Sequence, residues 1–275
     1  MQIVIKLYYN KNNPRFSQPN LERNIRMLAK LRLELSTDDA SFGIYQSSNL
    51  QGVIMENIDA SYAKTLHEQG LKPYSQYIDT ADGKKIWNIS TLNEESYENI
   101  ISPLLSADFK EFTITKKDIK VKILKKELET KEKKELLDKF YNGESRHYLN
   151  IEFITPTSFK SNGGYMFFPD LYYVYQSLMN KYSAFSSMEM YDKDTLGQLI
   201  EHSQIVQYKL RTAYFPLEGT KIPAFKGEIS IKITGTDTMA RYARLLAEFG
   251  EYSGVGIKTA IGMGAIRIKE REDKK

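Results

Sequence analysis

The chain has 275 residues, 39 Lys+Arg against 35 Asp+Glu, and no cysteine. That length suits one large domain or two smaller ones of roughly 100–150 residues, and a formal net charge of +4 admits a polyanionic partner without requiring one. The missing thiols exclude disulfides, thiolate nucleophiles and Cys-ligated metal, and the three separated histidines, His67, His147 and His202, form no HExxH-type pair. No metal site and no cofactor are expected. No apolar run reaches the roughly 18 residues that a bilayer span needs, and Met1–Lys6 lacks the layout of a signal peptide, so a cytoplasmic protein is expected.

Residues 1–30 are read as an N-terminal extension, with Ile3, Ile5 and Leu7 alternating like a strand and Asn20–Lys30 helical. Leu31-Arg32-Leu33-Glu34-Leu35 alternates strictly and predicts a half-buried strand. From Ser47 to Gly70 the spacing of Leu50, Val53, Ile54, Ile58, Tyr62 and Leu66 predicts a helix, capped by Ser47 or Ser48 and broken near Asp59-Ala60-Ser61. Pro73–Ile78 and Lys85–Ile89 read as antiparallel strands joined at Asp82-Gly83. A helix over Asn93–Ser106 and strand material over 111–124 complete a β-α-β-β-α-β order, the ferredoxin-like unit. The Lys/Glu-rich stretch that follows is read as a solvated helix face laced with i,i+4 pairs, a linker helix over 128–145.

The order then recurs. Leu149–Ile154 predicts a strand, Phe168–Tyr182 a helix, Ile205–Phe215 and Gly227–Thr234 strands, Asp237–Phe249 a helix and Ala265–Lys269 a strand. The expected fold is α+β, two tandem ferredoxin-like domains over 31–127 and 146–270, with a short tail at 271–275.

Gly254, Gly256, Gly262 and Gly264 crowd the segment between the last helix and the last strand. It is not a Walker A loop, since Ile257 separates Gly256 from Lys258-Thr259, nor a dinucleotide fingerprint, which needs a strand-to-helix turn. Two readings remain: a tight structural turn, or a loop that brings bare amides to the surface beside Lys258 and Thr259 to meet nucleic-acid phosphates.

Together with Ile154–Lys160, Phe168-Pro169-Asp170, Ser177-Leu178 and Ile222–Gly227, this tail resembles the CRISPR-associated repeat-processing endoribonucleases, the sixth Cas family of the RAMP superfamily. The resemblance covers roughly 31–270 and is strongest from 150 onward. It implies two ferredoxin-like domains and the cutting of CRISPR precursor transcripts within each repeat to release guide RNAs. Asn49–Ile54, Thr65-Leu66-His67-Glu68 and Lys72-Pro73-Tyr74 look like the family's first helical region, whose end bears the catalytic histidine, here His67. Some members carry a tyrosine on the preceding helix; this chain has Met55 there. A homodimer and transfer of the product to a Cas effector complex are partners the resemblance admits, with no membrane.

RNA carries its own nucleophile, so the protein need only move protons and hold geometry. The 2′-hydroxyl attacks the adjacent phosphorus and expels the 5′-oxygen, leaving a 2′,3′-cyclic phosphate. His67 is the expected acid–base group, Lys72 the cation for charge developing on phosphate, and Tyr45, with Tyr74 behind it, the candidate for the other proton. For His147 and His202 a structural role is favoured. Lys160, Lys209, Arg211 and Lys258, with Gly254, Gly256, Thr259, Gly262 and Gly264, are the expected RNA-binding residues, and they should line one groove. A catalytically inactive RNA-binding relative and a small-molecule enzyme on the same scaffold are the competing readings.

Overall fold

The computed structural model describes residues 27–81, 83–186 and 192–270. The extension ahead of Met27, Asp82 of the expected turn, and the tail 271–275 lie outside the described residues. Residues 27–30, expected at the end of a helix, are strand: β1 spans Met27–Ser36.

Ala29, Leu31, Leu33 and Leu35 of β1 point into the first core, which the strict alternation requires. The expected long helix is two, α1 (Ser47–Glu56) and α2 (Ala60–Glu68). The break comes at Asp59, whose carboxylate accepts from the amides of Ser61 at 2.8 Å and Tyr62 at 3.2 Å and so starts a new helix. Ser47 sits in the first turn, and the N-cap is Gln46 without a side-chain bond. β2 (Tyr74–Ala81) and β3 (Lys84–Thr91) form the hairpin. α3 (Glu94–Ser96), a π-helical turn (Tyr97–Ile101) and α4 (Ser102–Leu105) run on from one another. β4 (Glu111–Ile114) and β5 (Ile119–Glu132) close the unit.

β5 corrects the linker-helix reading. Its charged residues form a 14-residue strand, because β1 offers a matching ladder from Met27↔Glu132 to Ser36↔Lys122. Long-range pairing outweighs helix propensity there, and the Lys125–Glu127 ion pair of 2.5 Å is an i,i+2 contact along a strand. The linker helix is α5, Lys133–Asn142, opened by a capping box in which the Glu132 amide donates to the Glu135 carboxylate at 3.1 Å.

The second unit comprises β6 (Tyr148–Thr157), the small hairpin β7 (Phe159–Ser161) and β8 (Gly164–Met166), α6 (Leu171–Phe185) and α7 (Lys193–Glu201). The long hairpin β9 (Ser203–Leu217) and β10 (Thr220–Ile233), α8 (Asp237–Ser253) and β11 (Ile266–Lys269) follow. The β7–β8 hairpin and α7 were not anticipated by the periodicity.

The two sheets run β2-β3-β1-β5-β4 and β11-β6-β10-β9. Both place the first strand of the unit between its third and fourth, so the tandem ferredoxin-like expectation is met. One core gathers Trp87, Ile89, Leu50 and Ile54, and the other Phe153, Phe225, Leu178 and Phe249. Tyr77, Ile154 and Ala265 meet between them, beside the Ser75 hydroxyl donating to Tyr252 O at 2.5 Å and an Arg267–Asp79 ion pair of 3.2 Å. Among the described residues no helix is long and apolar enough to cross a membrane.

At Gly264 the backbone lies at φ +72, and a Cβ would stand 2.0 Å from Val255 O. Both strain and overlap oppose any side chain there. Gly264→Ala is expected to destabilise the protein by about 2–4 kcal/mol, read as a fall in the denaturation midpoint.

Candidate functional site

α2 ends where the chemistry is expected to begin. His67 lies in its last turn, exposed, and the half-buried Lys72 turns back so that its ammonium donates to the carbonyls of Leu66 and Gln69. Leu66 O is the carbonyl immediately before His67, so both expected residues sit at one helix end. The ammonium satisfies carbonyls that the helix terminus leaves without intrahelical partners, and partial burial holds Lys72 below the ordinary lysine value.

Tyr45 is 55 % exposed in the short 3-10 turn Ile44–Gln46. That turn is pinned: the Ser47 hydroxyl donates to Ile44 O at 2.7 Å and accepts from the Ile78 amide at 3.1 Å. Tyr74 is buried at the start of β2, and burial, opposed by a hydrogen bond with the Gln51 side chain, pushes its pKa up to about 12. A phenol so disposed is the poorer proton donor of the two. Met55 packs against the first core.

The glycine loop is folded inward, and this overturns the expectation of bare surface amides. Gly254 N donates to Gly250 O, Val255 N to Gly264 O, Ile257 N to Ser158 O and Gly264 N to Pro156 O, all at 2.8–3.0 Å. Gly256 N donates to the Ser177 hydroxyl at 2.8 Å and Ala265 N to Thr155 Oγ1 at 2.9 Å. Gly254, Gly262 and Gly264 are buried, as is Thr259, whose hydroxyl accepts from Lys181 at 3.3 Å. At Gly262 (φ +111) a Cβ would meet the Ser47 side chain at 2.2 Å, so the loop packs directly on the turn that carries Tyr45. Of the residues expected here to bind RNA, only Lys258 is exposed.

Two buried side chains that the sequence reading missed hold this loop. Lys181 donates to Ser253 O at 3.3 Å, Gly254 O at 3.1 Å and Thr259 Oγ1. Gln76 donates to Ser47 O at 2.6 Å and Ala260 O at 3.3 Å while accepting from Trp87 Nε1 at 2.9 Å. A signal for Lys181 exists: it follows Leu171, Val174, Tyr175 and Leu178 on the apolar stripe of α6, where a lysine needs buried acceptors.

Lys160 is exposed on β7 opposite Tyr165, on the hairpin whose neighbouring Ser158 meets the glycine loop. Lys209 and Arg211 are exposed on β9, paired with Glu228 and Lys226 of β10. The expected residues therefore fall in two groups rather than one line. Lys226 extends the second group toward the seam between the domains; burial, then the nearby Arg211 cation, lowers its pKa while Asp79 and Glu152 oppose. Arg267 pairs with Asp79 across that seam, and Lys30 lies 4.6 Å from the Tyr252 ring centroid. Sequence reading gave no role to Lys226, which entered it only within the Ile222–Gly227 motif, or to Arg267 and Lys30. His147 sits between Ile233 O at 2.8 Å and Asp237 Oδ1 at 2.9 Å, which raises its pKa, and His202 caps α7, consistent with structural roles.

Fold and site together define the class, a tandem ferredoxin-like α+β protein with cations along its inter-domain seam and an inward-folded glycine loop. The model of the family described as CRISPR-associated endoribonuclease Cas6 matches residues 151–266. The chain is 37 % identical to the Cas6 endoribonuclease of Streptococcus thermophilus over 224 residues, covering 81 % of this chain and 90 % of that protein. It is 33 % identical to the Mycobacterium tuberculosis protein of the same name, covering 92 % and 82 %. A solved Thermus thermophilus Cas6 has the same fold, with a TM-score of 0.68 at 21 % identity over 89 % of this chain and 99 % of that one. A Cas6 product complex gives 0.74 at 21 % identity over 89 % and 100 %. The chain belongs to the Cas6 family of CRISPR-associated endoribonucleases.

Burial lowers the Lys181 pKa from 10.5 to about 7, and that of Lys133 likewise. Between those values the unfolded chain binds more protons than the folded one, so these groups make stability rise with pH from about 7 to about 10. Lys181→Met should flatten that rise, measured as denaturation midpoint against pH, while also lowering the midpoint by leaving three acceptors unbonded.

Proposed function

We propose that this chain cuts CRISPR repeat RNA without a metal, by attack of the 2′-hydroxyl on the adjacent phosphorus, with His67 as general acid–base and Lys72 as the cation beside it. The observation that supports this reading is the end of α2, where an exposed imidazole follows the carbonyl that Lys72 grips. A positioned histidine contributes about 10²–10⁴-fold in such a transfer, and a fixed cation favours the charge that gathers on the phosphate oxygens. Tyr45, exposed on a turn braced by the glycine loop, is the candidate for the second proton. The 2′-hydroxyl gives one proton to one group and the 5′-oxygen takes one from the other, so the net proton count is unchanged and the two groups have exchanged protonation states, which solvent resets before the next turnover.

Substrate is held along the seam and at the loop. Arg211, Lys226 and Lys209 provide one set of phosphate contacts, Lys258 and Lys160 another, and these position the strand while exposed bases remain free to stack. Self-association as a dimer and transfer of the processed RNA to an effector complex accompany this reading.

The test is cleavage of a labelled cognate repeat in EDTA. Wild type should cut once, a 2′-deoxy nucleotide before the scissile phosphate should block it, and His67→Ala should slow it at least about a hundredfold with affinity retained. Lys72→Ala should slow cleavage too, with Lys72→Arg recovering part of the rate. Full activity in His67→Ala would remove the histidine from the mechanism. Binding without cutting by wild type would favour the inactive-relative reading.

A further inference from the structure

The second unit holds a cavity that the reaction described above does not use. It measures about 930 Å³ and opens between α5, the start of β6, the first half of α8 and the end of β11. Lys139, Arg146, His147, Arg241, Arg244 and Lys269 bring cations to its walls. Carboxylates answer most of them, with Lys269 paired to Glu152 and Glu228 from outside the cavity wall. Glu248 takes Lys131 at 3.5 Å, Lys139 at 3.1 Å and Arg244 at 3.2 Å. Glu270 takes Arg146 and Arg244, and Glu144 takes Arg146 at 3.1 Å.

Arg241 is left over. Its Nε is buried and has no hydrogen-bond partner. The nearby Asp237 carboxylate is committed to the His147 ring at 2.9 Å. A buried guanidinium N–H without an acceptor is costly and rare in native proteins, and it points to an acceptor that arrives with a ligand. The unbonded donor belongs to a guanidinium on a wall shared with Lys139, Arg146, Arg244 and Lys269, so the ligand that meets it is an anion. The planar fork of an arginine suits phosphate oxygens in particular. Tyr148 among its lining is 42 % exposed, and an aromatic face accepts bases whatever their identity.

We infer that this cavity is a second RNA site, taking a phosphodiester and its base from the strand outside the cleavage position. The inference rests on the reading of the chain as an RNA-cutting enzyme.

The experiment measures RNA affinity by fluorescence anisotropy for wild type, Arg241→Gln and Arg241→Lys, with a repeat RNA carrying its natural flanks and one trimmed to the nucleotides around the cleavage position. Arg241→Gln should bind the flanked RNA about tenfold more weakly and reduce the salt slope by about one. It should bind the trimmed RNA as wild type does, and its single-turnover rate at saturating RNA should stay within about twofold. Arg241→Lys, which keeps the charge, should recover most of the affinity, and matched denaturation midpoints show that the variants are folded. Equal affinity of all three proteins for the flanked RNA overturns the inference. So does calorimetric binding of adenosine 5′-monophosphate that depends on Arg241 while RNA affinity is unchanged, since the site would then belong to a free nucleotide. The readout is affinity rather than cleavage, so failure of the His67 mechanism leaves it standing and is told apart from failure of the cavity.

Discussion

The rest of the structure depends on how the loop between α8 and β11 is held from both sides. Lys181 grips it from α6 through two carbonyls and a hydroxyl, and Gln76 grips it from β2 while also binding the first turn of α1 and the indole of Trp87. Each is a buried polar group whose cost is met only when every partner is present. The consequence is a junction with two domains on either side and little freedom. Shifting the loop would strand the Lys181 ammonium in one core and unbond the Gln76 amide in the other.

That constraint explains the glycines better than phosphate binding does. Gly262 closes on the Ser47 side chain, Gly256 on Ser158 O and Gly264 on Val255 O. A side chain at Gly262 would push the first domain away, and side chains at Gly256 and Gly264 would break the loop's packing within the second. In the proposed function the glycines act on substrate at one remove, by packing the loop so closely that the turn bearing Tyr45 on one side and the β7–β8 hairpin bearing Lys160 on the other are fixed relative to Lys258. A phosphate then meets cationic side chains on a rigid frame, rather than backbone amides already engaged.

The electrostatic layout follows a similar division. Cations on the seam are tempered by carboxylates, Arg267 by Asp79 and Glu152, and Lys269 by Glu152 and Glu228. Exposed pairs of this kind contribute little to stability, but they keep strands of like charge together in the absence of RNA. Lys209, Arg211 and Lys226 sit at the outer part of the sheet, where a polyanion can replace solvent around them. The salt dependence of binding should therefore reflect a handful of phosphates rather than the modest overall charge.

Periodicity was enough to determine the two βαββαβ units, because alternation and helical spacing are local properties of the chain, and the glycine pattern with its flanking motifs was enough to mark the family, with His67 proposed from the resemblance of its own segment. Local pattern misread β5, where a helix-like run of lysines and glutamates becomes a strand only because β1 lies alongside it. It also misread the glycine loop, since whether an amide is bare or bonded depends on Pro156, Ser158, Ser177 and Gly250, and all but the last of these are far away in the sequence. Tertiary structure alone decided that Lys72 grips the carbonyl before His67, that Lys181 and Gln76 are buried anchors, and that Arg241 faces a cavity with a donor to spare. The physical reason is the same in each case: a single polar side chain carries no periodic signal, and its role is set by which acceptors the folded chain brings within hydrogen-bond reach.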